Sequence, residues 1–420
     1  MDHLIEHSTG IYIALLLLAC LVGALTKWLA HVPYTVALTL VGLLVAVTGI
    51  GPDIEDTGFS RELIFFVMLP PLLFHGALHM ELNRLLQHIW PIVTFAVVGL
   101  LVSMFVIAGM FYWGAGLDSF AIALLFGAMV TPTDPVSVLA IFKECHAPVD
   151  LKYIVEGESL FNDGVGIVVF MIVLGMIEGS GSDSEFHALP AVGEFVKVAA
   201  GGLIVGTVLG IAAFQLMRHI DDHLVENAMC LVLAYGAFWV AEHFHMSGVI
   251  AAVMAGLMIG NYGKRLSMEK KTRETVDTFF ESVDFLINSL LFILIGLELQ
   301  AIAWPTLVAN LRPLGVAILA LLVSRAVAVY PLYRLLNLAG RRRPKNWEHV
   351  LFWGGLRGSI PIALLLGLSG HEAIEPYRPM LLVAGFGVVL FSVVVQGLTM
   401  KPLLKRLGVA EGSRQLTNGG

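Results

Sequence analysis

Long apolar runs separated by short polar stretches recur along the whole chain. About 20 apolar residues cross a bilayer as a helix, with every backbone N–H and C=O satisfied internally. Thirteen such runs are predicted, over residues 11–29, 33–50, 63–78, 89–113, 119–142, 153–177, 192–217, 227–242, 247–260, 280–299, 313–336, 347–368 and 379–404. The ninth is the shortest. The pattern predicts an all-α integral membrane protein. The stretch before the first run has no Lys or Arg, and no small-residue cleavage site follows it. That run is therefore expected to stay as a helix rather than be removed as a signal peptide.

Charge placement orients the runs. Of the 25 Lys and Arg residues, 19 fall on one set of alternating loops and ends, among them Lys27, Arg84, Lys143, Lys152, Arg218, Arg341 and Lys401. Only four, Arg61, Lys197, Arg312 and Arg378, fall on the other. Basic residues mark the cytoplasmic side. This places the N-terminus outside and, with an odd number of crossings, the C-terminus inside. The outer loops are acidic instead, with Asp53, Glu55, Asp56, Asp183 and Glu185. The segment 409–420 is expected to form a short cytoplasmic tail.

Composition agrees. The 420 residues are 57% hydrophobic and 14% charged, with a mean hydropathy of +0.84, whereas a soluble domain carries about 25% charged residues. The basic residues form no stripe, which excludes a nucleic-acid-binding surface. Cys20, Cys145 and Cys230 form no CxxC, so packing is expected of them rather than a disulfide framework or a zinc site.

Two runs are interrupted. The fifth holds Thr131-Pro132-Thr133-Asp134-Pro135, and the twelfth holds Gly354-Gly355-Leu356-Arg357-Gly358-Ser359 followed by Pro361. Proline removes a backbone donor and clashes with the preceding turn, so both helices should unwind or kink. The breaks lie seven runs apart, which gives the two halves opposite orientations. Paired interruptions point to an inverted-repeat transporter with its site near the midplane; two unrelated proline kinks are the alternative. Each break carries a charge. Asp134 can offset exposed helix N-terminal amides, and Arg357 exposed C-terminal carbonyls.

The sixth run reads Glu156-Gly157-Glu158-Ser159-Leu160-Phe161-Asn162-Asp163-Gly164. Helical spacing puts Ser159 with Asp163 on one face, and Glu158 with Asn162 on an adjacent one. A charge at the bilayer centre costs about 2.5–3.5 kcal/mol on insertion scales, so these acids need partners or a task. Arg325, a lone cation in the eleventh run, suits Glu158 as a structural ion pair, with direct ion binding by Glu158 the other reading. Asp163 is left without a cationic partner, near the Thr133 hydroxyl and the carbonyls of a helix break. Hard cations such as Na+ take oxygen ligands. A buried carboxylate can be neutralised by a proton or by a cation, but holds both poorly. That competition is the basis of exchange; a structural Asp hydrogen-bonded within the bundle is the alternative.

These three strings, Thr133-Asp134-Pro135, Glu158 to Asp163 and Gly354 to Gly358, resemble the motifs of the monovalent cation/proton antiporters. They are most similar to the branch holding bacterial NhaP-type antiporters and the animal and plant sodium/proton exchangers. The resemblance extends over nearly the whole chain. It implies that Asp163 binds the ion and the proton, that Thr133 and Ser159 help coordinate Na+, that Asp134 is the acid of the broken helix, and that Glu158 and Arg325 form a core ion pair. Asn162 stands where an electrogenic branch has a second Asp, which implies electroneutral exchange. The resemblance also implies a homodimer in which a core domain (about 89–177 and 313–404) moves against a dimer domain (about 11–79 and 227–299), joined by a linking helix (about 192–217).

Other features point elsewhere. His75 and His79, one turn apart, suit packing near the inner surface, with a metal pair or pH sensor as the other reading. His243 and His245 read the same way. Gly202, Gly206 and Gly210 form a small-residue face for close helix packing. Gly260 to Arg265 lacks the spacing of a phosphate-binding loop. Glu298 either lines an access funnel or marks the interface. Asp284 and Asn288 form an i, i+4 polar pair that either lines the ion path or is structural.

The expected function is therefore exchange of a monovalent cation (Na+, Li+ or K+) for H+ by alternating access in the plasma membrane, with no cofactor and no enzymatic step. K+/H+ exchange and a cation channel or uniporter are the rivals, and an intramembrane protease using Asp134 and Asp163 is a distant third. A shared site predicts a bell-shaped pH profile.

Overall fold

The computed structural model of the protein describes residues 2–28, 33–48, 62–180, 188–220, 222–297, 304–339, 343–368 and 370–409. Among these, all regular structure is helical. The chain begins with α1 (Asp2–Trp28), α2 (Tyr34–Thr48), α3 (Leu63–Leu78), the short α4 (Leu82–Gln87) and α5 (Ile89–Ala115). A broken helix follows as α6 (Phe120–Val130) and α7 (Val136–Glu144), then α8 (Val149–Ser180) and α9 (Ala188–Met217). Next come α10 (His223–His243), α11 (Gly248–Met258) and α12 (Lys270–Leu297). The last elements are the short α13 (Trp304–Ala309), α14 (Leu311–Leu338), a second broken helix α15 (Trp347–Trp353) and α16 (Ser359–Leu366), and α17 (Arg378–Arg406).

Seven of these helices are long and apolar enough to cross a membrane, and α2, α3, α6 and residues 10–26 of α1 are shorter apolar helices. Their outward faces carry Leu17, Leu21 and Leu25 on α1 and Val196, Ile204 and Val208 on α9, all exposed. Apolar side chains in such numbers on the outside call for lipid rather than water. The protein is an integral, multi-pass membrane protein.

Helix ends follow local chemistry. Asp222 caps α10, its Oδ1 accepting from the amides of Leu224 (2.8 Å) and Val225 (3.3 Å), and Ser247 caps α11 by accepting from Ile250 N. Gly116 ends α5 in the left-handed region at φ 75°. The helix α12 starts ten residues before the predicted run. Its first turns hold Lys270, Lys271, Arg273, Glu274 and Asp277, which hydropathy excludes although the chain there is a good helix former.

Small residues set the closest crossings. Cβ atoms at Gly202 and Gly210 would meet Ser247 O at 2.5 Å and Met258 Cβ at 2.7 Å, and one at Gly206 would strike the Ala251 backbone. The glycine face of α9 thus packs on α11 as its spacing predicts. Gly42 of α2 and Gly296 of α12 meet backbone to backbone, and a Cβ at Gly256 would lie 2.5 Å from Phe74 O of α3. α5 packs along α14 and α6.

Polar links join the ends of neighbouring elements. Lys264–Asp277 (2.5 Å), His88–Asp150 (3.3 Å) and Lys401–Glu144 join segments assigned to the inner side. His371–Glu178 (2.6 Å) and Tyr377–Asp118 (2.6 Å) join segments assigned to the outer side. Several charges used for that assignment (Asp53, Glu55, Asp56, Arg61, Asp183, Glu185, Arg341 and Arg342), together with Glu298 and residues 410–420 of the tail, lie outside the described residues.

Some expectations are corrected. Cys145 and Cys230 are buried as packing residues, but Cys20 is exposed on α1. His243 and His245 are exposed rather than packed: His243 stacks on Trp239, and His245 turns the chain at φ 56°. The Asn261 side chain accepts from Leu82 N and donates to the carbonyls of Met80 and Leu257. The Gly260–Arg265 stretch therefore clamps the turn between α3 and α4.

Candidate functional site

Residues 131–135 and 354–358 are unwound, as the prolines and glycines predict, and the two stretches cross. The amide of Asp134 donates to the carbonyl of Leu356 at 2.8 Å. Each break leaves helix-end groups without intrahelical partners, and named side chains satisfy some of them. Asp134 Oδ1 accepts from Val136 N, the first amide of α7, at 3.0 Å. The Thr131 hydroxyl donates to Gly127 O near the end of α6.

Arg325 donates from Nε (3.2 Å) and Nη2 (2.9 Å) to the carbonyl of Leu351, near the end of α15. It also donates from Nη1 to Glu158 Oε1 at 2.5 Å. One guanidinium thus closes the predicted ion pair and caps the second break, and its planar fork of donors suits both tasks. Arg357 is 1% exposed, and its Nε and Nη1 have no hydrogen-bond partner among the described residues. Its backbone N–H donates to Ser392 Oγ at 2.7 Å. The guanidinium lies within electrostatic reach of Glu158 and Asp163.

The polar residues of α8 separate into two groups. Thr133, Ser159 and Asn162 are all buried and joined: Thr133 Oγ1 and Ser159 Oγ are 3.0 Å apart, and Asn162 Nδ2 donates to Thr133 Oγ1 at 3.4 Å. Asn162 Oδ1 has no partner. Asp163 is only partly buried. It lines a cavity of about 580 Å³ together with Asp134, and Thr133 and Ser159 are not on that cavity's wall. Among the described residues none donates a hydrogen bond to the Asp163 carboxylate, and the charges that reach it are those of Asp134 and Arg357.

The rest of the cavity wall comes from three directions. Lys143 lies on α7 and Lys152 and Glu156 on α8; His75 and His79 come from α3 and its end, and Glu281, Asp284 and Asn288 from α12. The histidines are not simple packing residues: His75 Nδ1 is 3.5 Å from Asp284 and His79 Nε2 is 3.3 Å from Asp277. Their neighbours across the cavity come from distant sequence, which spacing along α3 does not show. Glu156 and Ser359 on the wall, and Ser392 behind Arg357, went unassigned in the sequence. Ser392 and Gln396 stand four apart in an apolar run, a signal of the same kind as Glu158 and Asn162. A partly buried carboxylate beside two helix breaks, open to a polar cavity and free of fixed donors among the described residues, can take up either a proton or a cation.

The family model described as "Sodium/hydrogen exchanger, transmembrane" matches residues 14–406. The chain is 42% identical over 363 residues to the Na(+)/H(+) antiporter NhaP of Pseudomonas aeruginosa, covering 84% of this chain and 83% of that protein. It is 38% identical over 387 residues to the Na(+)/H(+) antiporter ApNhaP of Aphanothece halophytica, covering 92% and 71%. The fold is similar to that of the sodium proton antiporter MjNhaP1 from Methanocaldococcus jannaschii, with a TM-score of 0.78 at 23% identity over 96% of this chain and 100% of that one.

Proposed function

This chain belongs to the sodium/hydrogen exchanger family of transmembrane proteins, and on that premise we propose that it exchanges Na+ for H+ across the membrane, one for one, with Asp163 carrying either ion. The observation that carries the reading is the Asp163 carboxylate itself, on the cavity wall, with no hydrogen-bond donor to fix it among the described residues. Na+ is assigned over K+ because the two relatives described above are named for Na+/H+ exchange.

The mechanism is alternating access. We read the cavity as opening to the cytoplasm, since Lys143, Lys152 and His79 line it. Asp163 there releases its proton and takes a cation, or the reverse. Bringing the hydroxyls of Thr133 and Ser159 to that cation requires their mutual hydrogen bond to open. The loaded, neutral site crosses. The empty, charged site does not, because moving a bare carboxylate past an apolar barrier costs several kcal/mol. With Asn162 beside it uncharged, a single carboxylate per cycle makes the exchange electroneutral.

The architecture proposed for this cycle has thirteen crossings, the N-terminus outside and the C-terminus in the cytoplasm. The two broken helices, α6–α7 and α15–α16, are counterparts in an inverted repeat. A core (about 89–177 and 313–404) moves against a scaffold (about 11–79 and 227–299), linked by α9, and the scaffold pairs with that of a second copy in the plasma membrane. Support comes from the packing of α2 on α12 and α3 on α11 within one group, and of α5 on α14 and α6 within the other.

The test is proton flux in vesicles holding the purified protein, with a pH-sensitive dye and pulses of Na+, Li+ or K+, with and without a clamp on membrane potential. Na+-evoked proton movement that is indifferent to the clamp, absent in Asp163→Asn, and bell-shaped in pH is expected. Cation movement without protons, activity surviving in Asp163→Asn, or a flat profile between about pH 6 and 9 would overturn the assignment.

A further inference from the structure

Asp284 and Asn288 stand one turn apart on α12, and both line the cavity that reaches Asp163. The exchange cycle above gives them no part. The Asp284 side chain is 28% exposed, and its charge reaches Asp134 across the cavity. Its ionic partner among the described residues is His75, at 3.5 Å. That is well beyond the roughly 2.7–2.9 Å of a charge-assisted hydrogen bond, so the carboxylate is not committed to it. Asn288 lies one turn further along α12. It is 8% exposed, yet its Nδ2 has no partner among the described residues. A buried amide left incomplete on a cavity wall needs a ligand or water to complete it. A half-turn of its last torsion exchanges the amide nitrogen and oxygen, so Asn288 can present a carbonyl oxygen beside the Asp284 carboxylate.

We propose that Asp284 and Asn288 form a loading station for a partly hydrated monovalent cation, fixed on the wall of the cytoplasmic cavity, from which the ion passes to Asp163. The proposal rests on the exchange reading above. Carboxylate and carbonyl oxygens are the ligands a hard cation takes. Two protein oxygens leave most of its hydration in place, so the station holds the ion briefly and releases it. A carboxylate between low-dielectric walls also concentrates cations locally. The location makes the station one-sided. α12 packs along α2, whereas Asp163 and Asp134 belong to α8 and the break after α6. A station that stays on the scaffold while the core moves can serve only the cytoplasmic face.

The experiment is Na+-evoked proton flux in vesicles of both orientations, with choline replacing Na+ at constant ionic strength, for wild type, Asp284→Asn, Asp284→Glu and Asn288→Ala. Asp284→Asn is expected to raise the Na+ KM at the cytoplasmic face about tenfold, the lower end of electrostatic focusing. The KM at the outer face and the rate at saturating Na+ should hold. Asn288→Ala should shift the same KM in the same direction, and Asp284→Glu should restore it. An unchanged cytoplasmic KM in both Asp284→Asn and Asn288→Ala, or equal shifts at the two faces, overturns the station while leaving exchange intact. Absence of Na+-evoked proton flux in wild type overturns the exchange reading itself, and the station with it.

Discussion

The backbone N–H of Asp134 donates to the carbonyl of Leu356 at 2.8 Å, so the unwound stretch after α6 is tied directly to the one before α16. Unwinding frees amides and carbonyls at a depth where water is scarce. Here one break supplies the donor and the other the acceptor. Such closeness requires residues without side chains on the facing strand of the crossing. A Cβ at Gly358 would lie 2.5 Å from Asp134 Cβ and 2.7 Å from its Oδ2, and one at Gly355 would lie 2.7 Å from Arg325 Nε.

Gly358→Ala should therefore push the two stretches apart. The obstructing atom is Asp134 Cβ, which cannot move without its backbone, so a cost of about 1–3 kcal/mol is expected. Purified in detergent, the variant should melt at a lower temperature than wild type and lose most of its Na+-evoked proton flux. Gly315→Ala, where nothing lies within 4 Å of the added carbon, is the control. If Gly358→Ala melts and transports like that control, the crossing is looser than described.

Much of this crossing was legible in the sequence, and the illegible part has a physical reason. Pro132, Pro135 and the run Gly354-Gly355 mark where helices must open, because backbone chemistry is local. Glu158 and Arg325 could be matched because Arg325 is a lone cation inside an apolar run, which lipid does not tolerate unpaired, and Glu158 is an acid in need of a partner. Sequence does not reveal which of two arginines reaches a given carbonyl. Arg357 sits inside the break, yet Arg325, from α14, caps Leu351. The same limit applies to His75, whose cavity-wall position depends on α12 approaching α3. Asp284 and Asn288 were visible as a pair, but only the fold puts them opposite Asp134.

Tyr377 OH donates to Asp118 Oδ1 at 2.6 Å, joining the turns that precede α17 and α6. The Tyr377 hydroxyl, followed by nearby backbone amides, holds the Asp118 carboxylate below its ordinary range. A carboxylate lowered in the folded state contributes stability that is present above its unfolded value, about 3.9, and is lost as pH falls through its lower native value. Wild type should therefore melt slightly above Tyr377→Phe at neutral pH. The gap should narrow as the buffer is taken below that value. Asp118 is solvated, so the gap should be small. A gap of constant size across the acid range would mean that the hydroxyl does not favour the ionised form.

The Glu158–Arg325 pair offers the sharpest test of what holds the centre together. The side chains are 2% and 8% exposed and 2.5 Å apart, so neither charge has water to fall back on. Replacing Glu158 alone, as Glu158→Gln, strands the guanidinium and should cost about 3–5 kcal/mol. Arg325→Met strands Glu158 and also uncaps Leu351 O, so it should cost at least as much. Replacing both removes the stranded charges together, and a neutral pair of similar volume is often tolerated. The double variant should then be less destabilised than the sum of the singles by 1 kcal/mol or more, within the about 0.5–3 kcal/mol range seen for groups in contact. It should not return to wild type, because the carbonyl of Leu351 still lacks its donor, at about 1–3 kcal/mol. A melting series of the four proteins in one detergent decides it. Strictly additive losses would mean that the two charges do not depend on each other, and the pair would then not be what spans α8 and α14.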